Sequence, residues 1–304
     1  MPFPPTTNSV ASSYGLLVMF AMDMYTSAAP PSLTPAPDAR LIAAGWNVIG
    51  YLVGNDALYH KQSALTGGVD VSYGYVAQSA TDATNFVAVV RGTNGLIEWI
   101  EDAEYPPIPY GPAPGAMVEQ GFWGIYATFR MLAPDGSTVP GATVVESISS
   151  LVGATGNLMV VGHSLGSSIA TYLSLDLARG LLENRVSACL FASPQPGNQD
   201  FADFYDQTVA NYELYNYRLD AVPQVPPGPD YVALSKETVL QPATVKACIR
   251  VDVGCNHHII CYCAMLDFDA TPYQHIATID TACAACILGP ATTDPTIAKI
   301  IAAL

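Results

Sequence analysis

The run Asn157-Leu-Met-Val-Val161 leads straight into Gly162-His163-Ser164-Leu165-Gly166. An apolar helical stretch follows, with Ile169, Ala170, Tyr172, Leu173 and Leu175. A strand, a G-x-S-x-G turn and a helix in that order form a nucleophile elbow. The turn is so tight that its flanking positions must lack Cβ atoms, which accounts for Gly162 and Gly166. Ser164 is then exposed at the head of a helix. There the helix dipole and the N–H of Leu165 face the oxyanion that forms during acyl transfer.

Four short apolar runs read as parallel strands buried on both faces: Phe86–Val90, Leu158–Val161, Ala188–Ala192 and Tyr215–Arg218. Helical stretches alternate with them, notably Ser164–Leu182 and Phe201–Val209. Tyr14–Tyr25 reads as a buried helix, and Ala28–Asp38, with four prolines, as a loop. Glu104–Gly115 is Pro-rich and also a loop, and residues 1–13, rich in Pro, Thr and Ser, read as a flexible tail. Strands alternating with helices predict an α/β fold with a mostly parallel sheet covered on both faces. Nothing in the interior resembles a linker, so residues 1–304 are expected to form one domain.

Composition narrows the function classes. Half of the 304 residues are hydrophobic, enough for a sizeable core, and the formal charge is −15. Such a chain repels nucleic acid and anionic membrane surfaces, so nucleic-acid binding is set aside. The first basic residue is Arg40, so the basic n-region of a secretory signal is missing. Tyr14–Met22 is too short to cross a bilayer and is followed by Asp23. A soluble protein is expected, either cytoplasmic, exported without such a signal, or given as a mature chain. Of seven cysteines, Cys189 stands alone and six crowd between Cys248 and Cys286. Buried thiols and disulfides are both compatible with that pattern. Cys283-Ala-Ala-Cys286 has metal-like spacing, but a single CxxC is a weak signal, and no metal or cofactor is expected.

A serine hydroxyl is a weak nucleophile at neutral pH and needs a base, which in turn needs an orienting carboxylate. In the elbow context the chain order is Ser, then Asp or Glu, then His. Tyr215-Asn-Tyr-Arg-Leu-Asp220 ends a strand with a carboxylate, and Pro223 follows closely. Downstream histidines are His257, His258 and His275. His60 comes too early, and His163 is expected to point away from the site. Asn256-His257-His258 precedes an apolar helical run, Ile259–Leu266.

Several segments, in order, resemble the class 3 (fungal-type) triacylglycerol lipases of the α/β-hydrolase superfamily. Val89-Val-Arg-Gly-Thr-Asn-Gly-Leu-Ile-Glu-Trp-Ile-Glu-Asp102 is similar to the family's R-G-[ST]…W-x-x-D. Val118-Glu-Gln-Gly-Phe-Trp-Gly-Ile-Tyr126 is similar to its V-H-x-G-F-x-x-x-Y, with Glu119 in place of the His. Phe191-Ala-Ser-Pro-Gln-Pro-Gly-Asn198 and Asp220-Ala-Val-Pro-Gln-Val-Pro-Pro227 resemble the segments after the elbow. The resemblance runs from about Phe86 to Leu266, with Ser167 replacing the second Gly of G-H-S-L-G-G. It implies an α/β-hydrolase fold with Ser164 as nucleophile, Asp220 as acid and Thr93 with the N–H of Leu165 as oxyanion hole. Asp102 would brace that loop. The family's His is often followed by Tyr five residues later and Leu nine later. Tyr262 and Leu266 stand at those offsets from His257, so the resemblance selects His257 as base.

Between Thr93 and the Pro-rich loop, residues 94–102 are amphipathic if helical, at about 100° per residue. Leu96, Ile97, Trp99 and Ile100 share one face and Glu98, Glu101 and Asp102 the other. The segment resembles a lipase lid that buries its apolar face over the nucleophile or in lipid. A surface helix fixed to the core has the same pattern. The expected activity is carboxylic ester hydrolysis by a lipase or esterase, on a lipid or ester substrate. Other acyl hydrolases on this fold, such as thioesterases or amidases, and a non-catalytic lipid-binding relative are the alternatives.

Overall fold

The computed structural model describes residues 3, 6–56, 68–92, 106–180, 182–269 and 285–291. The chain opens with helix α1 (Asn8–Ser27), longer than its apolar pattern suggests. Thr7 caps it by accepting the N–H of Val10 at 3.3 Å. Ala11 is buried, and Ser12 Oγ donates to the carbonyl of Cys263 at 3.1 Å. These contacts correct the reading of a tail over residues 1–13: from Asn8 onward the chain is packed helix.

Helix α2 (Ala39–Ala43) leads into β1 (Trp46–Asn55), β2 (Asp70–Ser79) and β3 (Asn85–Val90), an antiparallel meander. Short strands β4 (Pro107–Pro109) and β5 (Met117–Glu119) pair with each other inside and beyond the Pro-rich stretch. Helix α3 (Gln120–Ala127), edge strand β6 (Arg130–Leu132) and helix α4 (Val144–Val152) follow. The chain then alternates regularly through β7 (Asn157–His163), α5 (Leu165–Arg179), β8 (Val186–Phe191) and α6 (Gln199–Thr208). It continues into β9 (Asn211–Tyr217) and β10 (Glu237–Leu240).

One sheet of eight strands results, in the order β10-β9-β8-β7-β3-β2-β1-β6. The five from β10 to β3 run parallel. The four expected strands are β3, β7, β8 and β9. Alternate side chains feed two separate cores, as the period of two requires. Phe86, Ala88, Val90, Leu158 and Val160 pack on the side of α3, α4, α5 and α6. Val87, Val89, Met159, Val161 and Cys189 pack on the side of α1 and the helix that follows His258. A sheet covered on both faces explains why these strands read as unbroken apolar runs.

The C-terminal part carries β11 (Ala247–Ile249), α7 (Val253–His257), α8 (Ile259–Leu266) and β12 (Ile287–Pro290). Strands β11 and β12 pair antiparallel. A disulfide joins Cys255 to Cys286. Cys189, Cys248, Cys261 and Cys263 are free thiols, and Cys283 lies outside the described residues. Among the described residues no cluster of three metal-ligating side chains exists, and no helix is long and apolar enough to cross a membrane.

Candidate active site

Strand β7 ends at His163, and α5 begins at Leu165, so the whole turn rests on Ser164. Its φ of 60° and ψ of −138° lie where a side chain is strained, a geometry that persists only when its surroundings enforce it. The enforcement is visible in the flanking glycines. A Cβ on Gly162 would lie 2.4 Å from the carbonyl oxygen of Gly166, and one on Gly166 would lie 2.3 Å from that of Arg91. The N–H of Ser164 donates to the carbonyl of Phe191 at 3.0 Å, tying the turn to β8.

Asp220 lies just past the end of β9, on the same edge of the sheet as Ser164. It is 3% exposed and its carboxylate is fully engaged. Oδ1 accepts the N–H of Val222 at 3.0 Å. Oδ2 faces Nδ1 of His257 at 2.8 Å and accepts the Tyr262 hydroxyl at 2.7 Å. A carboxylate accepts, so Nδ1 of His257 carries the proton and Nε2 is left as a lone-pair acceptor. Nε2 of His257 and Oγ of Ser164 are both buried and have no hydrogen-bond partner among the described residues. Two such atoms cost free energy unless a reacting partner uses them.

His257 is the last residue of α7, not the first of the following helix as its sequence position suggests. Three contacts hold it. Asn256 Nδ2 donates to the carbonyl of Leu219 at 3.0 Å, fastening α7 to the residue before Asp220. His163 reaches across and its Nε2–H donates to the carbonyl of His257 at 2.7 Å. The two imidazoles lie with centroids 4.7 Å apart. His163 therefore does not point away from the site; it supports the backbone of His257, the candidate base. Burial, followed by the neighbouring His257, pushes its pKa well below the ordinary range, so it stays neutral. His258 turns instead to the head of α8, where it accepts the N–H of Ile260 at 3.4 Å.

Leu165 is the first residue of α5, and the opening N–H groups of a helix have no intrahelical partner. Beside it, β3 delivers Arg91 and Gly92 against the elbow. A Cβ on Gly92 would lie 2.9 Å from Cβ of Ser164. Arg91 is buried, donates from Nε to the carbonyl of Ser72 and from Nη1 to that of Gly92, each at 2.7 Å, and stacks on Tyr25. The chain leading to Thr93 is thus fixed next to Ser164. Thr93, Leu96, Ile97, Trp99, Ile100, Asp102, His60 and His275 lie outside the described residues.

The structure brings Ser164, Leu165, Asp220 and His257 to one end of the sheet. Sequence reasoning missed Asn256 and the part played by His163, and used Tyr262 only as a spacing mark. A tyrosine at a fixed offset after the base was the available signal for its contact with Asp220.

The profile of the family described as Lipase (class 3) matches residues 87–229. The chain is 28% identical over 171 residues to the secreted mono- and diacylglycerol lipase A of Penicillium cyclopium, covering 52% of each. It is 27% identical over 201 residues to a lipase of Rhizomucor miehei, covering 63% of this chain and 53% of that one. A phospholipase A1-II of Oryza sativa subsp. indica is 27% identical over 188 residues, covering 51% and 46%. The chain spans about half the length of the curated relatives it matches. Among solved structures, the mono- and diacylglycerol lipase of Aspergillus oryzae aligns with a TM-score of 0.53 at 22% identity, covering 77% of this chain and 80% of that one. A fungal lipase with a buried polar cluster aligns at 0.55 and 21%, covering 81% and 82%. At that identity the likeness establishes the fold, which is that of an α/β-hydrolase. The matched segment holds both the elbow serine and the aspartate, and over residues 87–229 the chain is similar to the class 3 lipase family on an α/β-hydrolase fold.

Proposed function

We propose that this protein is a serine carboxylic ester hydrolase acting on lipid esters of the acylglycerol kind. One observation carries the reading: Asp220 orients His257 at 2.8 Å, while Nε2 of His257 and Oγ of Ser164 are buried with no partner among the described residues. That is the arrangement a base and nucleophile need before substrate arrives, since apo contacts between them are often long.

In this reading Oγ of Ser164 attacks the ester carbonyl carbon as Nε2 of His257 takes its proton. The imidazolium is stabilised by Asp220, which stays ionised. The tetrahedral oxyanion is received by the N–H of Leu165 and by Thr93. Collapse breaks the ester C–O bond, and the departing alkoxide takes the proton from His257, leaving an acyl-Ser164 ester. Water, deprotonated by His257, releases the acid. No cofactor is required. The face formed by Leu96, Ile97, Trp99 and Ile100 is proposed to cover the site and to open at an oil surface. The eight-stranded sheet with both faces covered supports a single domain.

The test is covalent labelling with a fluorophosphonate, combined with a panel of p-nitrophenyl esters, thioesters and amides. Labelling that depends on Ser164 together with preferential ester turnover supports the reading. A folded Ser164→Ala variant within tenfold of the parent would sink it, because losing the nucleophile leaves only the residual catalysis of the binding site.

A further inference from the structure

The proposed base is carried by the least self-supporting element of the site. Helix α7 has five residues, too few to be stable alone. Its first residue, Val253, is 55% exposed, and Val251 just before it and Leu288 on the adjoining strand are 59% and 63% exposed. Asp252 caps it, accepting the N–H groups of Gly254 and Cys255. Its inner end meets the sheet edge through hydrogen bonds from Asn256 and His163.

One covalent bond adds to these. Cys255, two residues before His257, is joined to Cys286, and both are buried. Cys286 is itself fixed to the chain just before α7. The N–H of Arg250 donates to the carbonyl of Cys286 at 2.8 Å, and Ile249 pairs with Ile287 across β11 and β12. The segment from Arg250 to Cys255 is therefore a small ring closed by a hydrogen bond at one end and a disulfide at the other.

We infer that the Cys255–Cys286 disulfide is the positioning element for His257, so that ester hydrolysis by this chain depends on its oxidised state. The inference rests on the proposed role of His257 as base. Reactive groups must be held to within about an ångström, and a misplacement of that order costs about a hundredfold in rate. Without the crosslink, α7 keeps its place by the hydrogen bonds of Asn256, His163 and His257 and by the burial of Cys255, Asn256 and His257 along one side, next to exposed apolar side chains on the other. Reduction by a dithiol breaks the S–S bond. The dithiol supplies two electrons and two protons, and closes into its own disulfide. Disulfides persist in oxidising compartments, so the enzyme would be active there and weakened in a reducing one.

The experiment compares the oxidised parent, the parent treated with dithiothreitol, and a Cys255→Ala/Cys286→Ala variant, on a soluble p-nitrophenyl ester below the unfolding temperature. The expected result is a fall in kcat of at least tenfold with KM within twofold, a matching fall in the rate of fluorophosphonate labelling, and recovery on reoxidation. Cys248→Ser should change neither activity nor sensitivity to reduction. If the double variant does not fold, reduction and reoxidation of the folded parent, followed by circular dichroism, decides the question alone. An active parent whose kcat is unmoved by reduction, with free thiol at Cys255 verified, overturns the inference and leaves the hydrolase reading intact. A parent that neither turns over esters nor labels overturns both. A fall in activity that tracks loss of circular dichroism signal also overturns it, because the bond would then hold the fold and not the base.

Discussion

Tyr262 donates its hydroxyl to Oδ2 of Asp220 at 2.7 Å, the same oxygen that holds Nδ1 of His257. The hydroxyl also accepts the N–H of Tyr217 at 2.8 Å, so it ties the end of β9 to the carboxylate. Burial, and then the Asp220 charge, push its pKa well above the ordinary phenol range, which keeps the proton available to donate. Tyr262→Phe leaves the amide of Tyr217 unpaired inside the protein. Stability should fall by about 1–3 kcal/mol, the usual cost of an orphaned buried donor. With one anchor of Asp220 gone, kcat should fall by roughly tenfold, ~1.4 kcal/mol of barrier, at little change in KM. Unfolding by urea and steady-state kinetics on a soluble ester measure the two effects separately. An unchanged kcat would mean that Val222 and His257 hold the carboxylate unaided.

The two adjacent histidines make different contacts, and on the proposed mechanism their variants should separate cleanly. His257→Ala removes the group bonded to Asp220 and should be about as damaging as loss of Ser164. His258→Ala removes a cap from α8, at a cost of roughly 0.5–2 kcal/mol in stability, while kcat stays within a few-fold. Paired measurements of melting temperature and kcat check both. A large loss from His258→Ala, or none from His257→Ala, would transfer the role of base to another histidine.

The parallel half of the fold was legible because β3, β7 and β8 are buried on both faces and show as apolar runs. The elbow was legible because its geometry tolerates so few residues. The meander β1 and β2 was not anticipated. Its strands are interrupted by glycine, which ordinarily argues against strand. Gly74 shows why it stands there: its φ is 157°, and a Cβ would lie 1.8 Å from the carbonyl oxygen of Val89 on β3. Asp220 was legible as a candidate because it follows a strand in the expected order. His163 was misread because the direction of a side chain on a turn depends on what packs above it. Here that is α7, held in place by long-range contacts and a disulfide between residues 31 apart. Pairing among seven cysteines is not encoded in their spacing.

Glu119 caps α3 with both carboxylate oxygens, accepting the N–H groups of Gly121 and Phe122, yet it is 2% exposed. Burial raises its pKa from the ordinary 4.5 to about 7, against the opposing pull of those two amides. A carboxyl raised on folding binds more protons in the folded state between those values. Its contribution is therefore fully present below about 4.5 and is lost as pH rises through about 7. The size is roughly 3 kcal/mol for a shift of this order. Glu119→Gln keeps an acceptor oxygen and cannot ionise, so its stability should be nearly flat over this window where the parent declines. Urea unfolding at pH 4.5, 6 and 8 tests it. Parallel profiles for parent and variant would mean that the carboxylate is satisfied in its ionised form.

Gly166 and Gly153 allow contact and strain to be told apart. A Cβ on Gly166 would sit 2.3 Å and 2.5 Å from the carbonyl oxygens of Arg91 and Val90, both backbone atoms that can yield only by shifting the end of β3. That end carries Gly92 against Ser164 and leads on to Thr93. Gly166→Ala should therefore lose stability by about 1–3 kcal/mol, as overpacking does, and lose kcat by a hundredfold or more through displacement of the proposed oxyanion donors. Gly153 ends α4 with a φ of 68° and has nothing within 4 Å of a Cβ position. Gly153→Ala should cost about 1–3 kcal/mol from backbone strain alone, since its ψ of −168° lies where essentially only glycine goes, and leave kcat unchanged. Assayed well below their unfolding temperatures, the two variants should have similar stabilities and very different activities. Equal activity in both would mean that the end of β3 does not set the geometry around Ser164.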